Sequence, residues 1–110
     1  MNVIVLREAR EFLASIAPQA RQKFINIFHR LAGGEKNAEI FKKLDGTDIW
    51  EMRAQYEGNA FRLFAFWDTH RRSLIVATHG IVKKTQKTPR KEIAKAEAIR
   101  NKYLKSNDNA

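Results

Sequence analysis

The sequence predicts an α+β domain with helices packed on a mostly antiparallel sheet, and three observations predict it. Three strand-like runs follow one another in the middle of the chain instead of alternating with helices. Two amphipathic helical patterns precede them and one follows. The length, 110 residues with 44% hydrophobic character, suffices for one core. The order along the chain reads β, α, α, β, β, β, α, as a single domain over 1–110 whose last residues, about 106–110, form a disordered tail.

The elements follow from local patterning. "NVIVL", Asn2 to Leu6, is short, β-branched and uncharged, so it reads as a strand. Phe12, Leu13 and Ile16 then give a short amphipathic helix. Pro18 sits where a first helical turn accepts proline, and Ala20, Phe24, Ile27, Phe28 and Leu31 recur at helical spacing until Gly33-Gly34 stops them. "EKNAEIFKKLDG" reads as a connector with an apolar patch at Ile40, Phe41 and Leu44. Ile49 to Tyr56, Phe61 to Trp67 and Ser73 to Val82 form an antiparallel three-stranded meander, with Gly58-Asn59 as a tight turn and "DTHRRS" as the second connection. Thr88 can cap and Pro89 can open a last helix, whose apolar stripe is Ile93, Ala96, Ile99 and Tyr103.

Composition narrows the function classes. With no cysteine, disulfide frameworks and thiolate chemistry are excluded and a reducing, cytoplasmic setting is expected. The first apolar run is interrupted at once by Arg7 and Glu8, which does not fit a signal peptide, and no run approaches a membrane span. His29, His70 and His79 lack metal-ligand spacing, and "GIVKKT" lacks the second glycine of a phosphate-binding loop, so no metal and no cofactor are expected. The formal charge is +9 and unevenly placed: Lys83 to Lys105 holds nine Lys/Arg against Glu92 and Glu97, whereas residues 1–82 hold twelve basic and nine acidic side chains. Such a field attracts polyanions, nucleic acid above all.

Strand register brings charges together. With Gly58-Asn59 as the hairpin turn, Gln55 lies opposite Arg62 and Arg53 opposite Phe64; with His70-Arg71 centring the next loop, Arg62 lies opposite His79. Two-residue periodicity puts Glu51, Arg53, Gln55, Arg62 and His79 on one sheet face, and Lys83, Lys84 and Lys87 leave the same strand just beyond. Taken alone, Arg62 fits a structural ion pair with Glu51. Taken together, the cations outnumber the nearby carboxylates and call for an anion.

The strand order, "WEMR", "FRLFAFWD" and above all "VATHGIVKKTQKTP" resemble the RelE/ParE superfamily of toxins from bacterial type II toxin–antitoxin systems, in its phage-derived HigB-like branch, over about Val3 to Leu104. The resemblance implies a small RelE-like domain and an mRNA-cleaving enzyme acting at the ribosome. It also implies a cognate antitoxin, commonly a helix-turn-helix repressor in this branch. Metal-free RNA cleavage needs a base for the 2′-hydroxyl proton, cations at the phosphorane and an acid for the 5′-oxygen, and leaves a 2′,3′-cyclic phosphate. On that reading Arg53 and Arg62 grip phosphate, His79 or Lys84 transfers protons, and Gln55, Lys83, Thr85, Lys87, Arg90 and Lys91 hold RNA. Two other readings stand beside it: a ParE-like gyrase poison without nuclease chemistry, and a non-catalytic basic RNA-binding module.

Overall fold

The computed structural model describes residues 2–71, 74–84 and 87–108, with side chains through Ser106. Its elements are β1 (Asn2–Val5), α1 (Arg7–Ser15), α2 (Pro18–Ala32), β2 (Phe41–Lys43), β3 (Trp50–Tyr56), β4 (Asn59–Asp68), β5 (Leu74–Lys83) and α3 (Arg90–Asp108). The strands form one sheet in the order β1-β5-β4-β3-β2. β1 runs parallel to β5, and every other pairing is antiparallel. The expected α+β class and central meander are therefore present, widened by a strand on each side.

β2 corrects the sequence reading, which leaves Glu35 to Gly46 as a connector. Three residues, Phe41–Lys43, pair with Trp50–Met52 and form one edge of the sheet. α3 starts just after Pro89 and runs to Asp108, past the start of the expected tail; residues 109–110 lie outside the described residues. None of the described helices is long and apolar enough to cross a membrane.

α1 and α2 cover one face of the sheet. Ala9, Leu13, Ile16, Ala20, Phe24, Ile27 and Leu31 meet Met52, Ala54, Leu63, Ala65, Ile75 and Ala77 in the main core. Arg21 ties the two helices by donating from Nε to the Leu13 carbonyl (2.7 Å), so α2 caps the C-terminal end of α1. Gly80 lets α1 lie close, because a Cβ there would come within 2.2 Å of the Phe12 ring. α3 lies over the opposite face. Ala96, with Tyr103 and Leu104, packs on the smaller cluster of Ile49, Phe64, Phe66, Leu74 and Val76.

The registers differ in detail from those expected. Glu57 (φ 48°) and Gly58 (φ 78°) form the two-residue turn, one position earlier than Gly58-Asn59, so Arg53 pairs with Arg62 and Gln55 with Ala60. Positive φ at both positions is the mirror-image turn that matches strand twist. In the next hairpin a bulge between Phe64 and Ala65 sets His79 opposite Phe64 and Ile81 opposite Arg62. Of the expected connection "DTHRRS", residues 72–73 lie outside the described residues.

Candidate phosphate-binding cleft

Glu51 is the hub of the polar end of the α3 face. It is 3% exposed, and its Oε1 lies 3.6 Å from Arg62 Nε and 3.7 Å from Arg53 Nε. Its Oε2 accepts a 2.8 Å hydrogen bond from the Thr88 hydroxyl, which is therefore spent on β3 and not on a helix cap. β3 presents Glu51 and Arg53 to the same face, and β4 brings Arg62 directly opposite Arg53. Arg62 is 5% exposed and donates from Nη1 to the Phe61 carbonyl (2.9 Å), while its Nε makes no hydrogen bond. Burial, then the charge of Arg53, lowers its pKa, and Glu51 works the other way. A guanidinium still stays charged there.

Beside this group lies a cleft of about 190 Å³ lined by Lys42, Lys43, Arg53, Lys83, Asp45, Glu51 and Thr88. Four cations face two carboxylates, one of which already serves both arginines. Lys42 pairs with Glu51 across β2 and β3 and so shares its face. Lys83 pairs with Ala60, continuing the row of Arg62 and Arg53. Its ammonium pKa is lowered, first by burial and then by the charge of Arg62, with Glu51 opposing. A partly buried site crowded with cations is one that an oxyanion would relieve.

His79 has another environment. It is 2% exposed, with Nδ1 3.1 Å from the Thr78 hydroxyl and Nε2 3.1 Å from Glu92 Oε1 on α3, and its ring lies over Phe64 at 4.9 Å. Burial lowers its pKa, against the Glu92 hydrogen bond, which raises it. Both nitrogens are engaged, so His79 ties β5 to α3 below the cleft.

The other expected residues separate into groups. Gln55 is exposed and joins Arg53, Arg62 and Glu39 around a hollow of about 280 Å³ at the outer edge of β3. Lys84 and Lys91 line a different cleft, of about 450 Å³, against Phe12 and Ser15 of α1; Lys83 lines both this one and the cationic cleft. Lys87 and Arg90 are exposed, and Thr85 lies outside the described residues. Sequence reasoning misses Lys42, Lys43 and Asp45 of the cleft, and Thr88 and Glu92 as partners of Glu51 and His79. The first two sit on the unexpected strand and Asp45 just after it, whereas Thr88 and Glu92 act over 37 and 13 residues of separation, which no local pattern reveals.

Two arginines on one buried carboxylate thus open onto a lysine-lined cleft. The family described as "Phage derived protein Gp49-like" matches residues 11–101. The chain belongs to this family. It is a family of RelE-type toxins, as the sequence resemblance implies. A chain of the intact E. coli RelBE toxin–antitoxin complex shares the fold at a TM-score of 0.54 and 15% identity, over 78% of this chain and 98% of that one. No curated protein matches the sequence significantly. The matched family segment leaves out β1, yet it includes every residue of the cleft and of the His79–Glu92 link.

Proposed function

We propose that this Gp49-like protein is the toxin of a toxin–antitoxin pair and acts as a metal-independent endoribonuclease on mRNA at the ribosome. The observation that carries the reading is the charge imbalance around Glu51, with two arginines on one buried carboxylate and lysines lining the adjoining cleft. A scissile phosphate in the cleft would take the place of the missing anion. Arg53, half-exposed, suits direct contact, and Arg62 adds charge from beneath; Glu51 holds both in place. The 2′-oxygen attacks phosphorus, the bond to the 5′-oxygen breaks, and a 2′,3′-cyclic phosphate forms. One proton leaves the 2′-hydroxyl and one reaches the 5′-oxygen. Lys83, with its lowered pKa, takes the proton-transfer role that the sequence alone assigns to His79 or Lys84. The E. coli RelBE structure is that of a toxin–antitoxin complex; a small helix-turn-helix repressor is the corresponding partner here.

Induced expression with mapping of transcript 5′ ends tests this reading. New internal ends are expected from the native protein and a loss of at least about a hundredfold from Lys83→Met, whose aliphatic stem keeps the cleft filled. Growth arrest through blocked replication, with transcripts intact, would instead mark a gyrase poison.

A further inference from the structure

A second cleft lies on the opposite side of the β2 edge. It has a volume of about 450 Å³ and is lined by Phe41, Trp50 and Trp67, with Lys36, Lys42 and Lys43 around them. Phe41 stacks on Trp50 at 4.7 Å and 23°, and Trp67 stands edge-on to both rings. Lys43 pairs with Trp50 and shares its face, whereas Lys42 pairs with Glu51 and faces the cationic cleft. Both lysines line both clefts, so β2 is a basic ridge between an aromatic hollow and the phosphate site.

We propose that the aromatic cleft is a base-stacking subsite for single-stranded RNA, holding a nucleobase of the strand whose phosphate occupies the cationic cleft. The inference rests on the ribonuclease reading and names where its substrate runs. Trp50 and Trp67 are only partly buried, while Phe41, stacked on Trp50, belongs to the core, and aromatic faces bind any base by stacking without a set of polar partners. The lysines of the ridge supply the charge that follows the backbone from one cleft to the other. The carboxylate in the lining, Glu35, is held by Arg30 in an ion pair and repels the strand little. An apolar side chain of an acidic protein partner would be the other occupant; continuity with the phosphate site favours the nucleotide.

The chain has two tryptophans, and both line this cleft, so intrinsic fluorescence reports its occupancy directly. The probe is a 2′-O-methyl oligoribonucleotide, which cannot be cleaved, titrated into the whole protein while anisotropy of a labelled copy follows binding independently. Saturable quenching with the same midpoint as the anisotropy is expected. An oligonucleotide of equal length with abasic sites should bind about tenfold more weakly and leave the emission unchanged, and Trp50→Leu should weaken only the intact oligonucleotide. The abasic arm decides even where Trp50→Leu folds poorly. Binding without any change in emission, or equal affinity for the abasic strand, overturns the subsite while RNA cleavage, measured in parallel, can still stand. An emission change on adding the antitoxin, with none from RNA, overturns it in favour of a protein anchor. Absence of both binding and cleavage overturns the ribonuclease reading together with this one.

Discussion

Along β3, β4 and β5, the face under α1 and α2 buries Met52, Ala54, Phe61, Leu63, Ala65, Ile75 and Ala77, while the face under α3 alternates Phe64 and Phe66 with Arg62 and sets Glu51 and His79 beside them. α2 is held by Ala20, Phe24, Ile27 and Leu31, all buried. α3 relies more on polar links: Glu92 to His79, Tyr103 to Asp68 (3.0 Å), Arg100 to Asp48 (3.7 Å) and Lys95 to Glu8 (3.4 Å). The same strands thus make an apolar core on one side, open only at the aromatic cleft by β2, and a charged cleft on the other. Burial of apolar area secures the first face, and the second spends part of its area on groups that cost free energy to bury.

The largest expected effect breaks the apolar face. Phe24→Ala removes a fully buried ring from the main core and should cost about 3–5 kcal/mol in urea unfolding. A loss below about 1 kcal/mol would mean that the α2 face does not carry the fold. Next comes Gly80→Ala. The added methyl meets the Phe12 ring, which α1 cannot withdraw freely, and should cost about 1–3 kcal/mol. Combining it with Phe12→Leu should restore part of the loss, whereas strictly additive losses would show that the clash is elsewhere.

The charged face should answer differently. Arg62→Ala leaves Glu51 with Arg53 and Thr88, so stability should fall by only about 1–2 kcal/mol while toxicity on induced expression disappears. An unfolded Arg62→Ala protein would make the Glu51 pair a structural element of the core and remove the contrast between the faces.

How much of this is legible in the sequence follows from parity. The expected first turn lies one residue late, which moves its pairing by two positions; in the next hairpin the strand register and the bulge at Thr78, which has no sequence signal, each move the pairing by one, so the change at Arg62 and His79 is again two. Arg53, Arg62 and His79 therefore keep their common face although their partners change. The helices are readable because Pro18 and the glycine pair mark their limits and the apolar spacing fills them. β2 is not, because "FKK" has neither length nor alternation, and Lys42 is lost with it. The burial of His79 is equally hidden, since it depends on Glu92 from a helix that the sequence places but does not orient.

The smallest expected effect concerns that histidine and links the two faces to pH. Burial holds the His79 pKa below the ordinary value of 6.5, although Glu92 and Glu8 pull it upward and Lys95 pushes it down. A histidine with a depressed folded pKa binds fewer protons in the native state than in the unfolded chain. Its contribution is therefore complete above about pH 6.5 and is lost as the pH falls through and below that value. α3 should loosen first, because His79 is its tie to β5, whereas the α1–α2 face has no buried titratable side chain among the described residues of its main core. Hydrogen exchange at about pH 7.5 and about pH 5.5, on either side of the ordinary histidine value, should show protection falling in α3 and staying nearly constant in α2. His79→Gln keeps a hydrogen-bonding amide and removes the titration, so its α3 protection should be the same at both pH values. If the variant keeps the native pH response, the proton enters elsewhere and the tie between His79 and Glu92 is not what answers to pH.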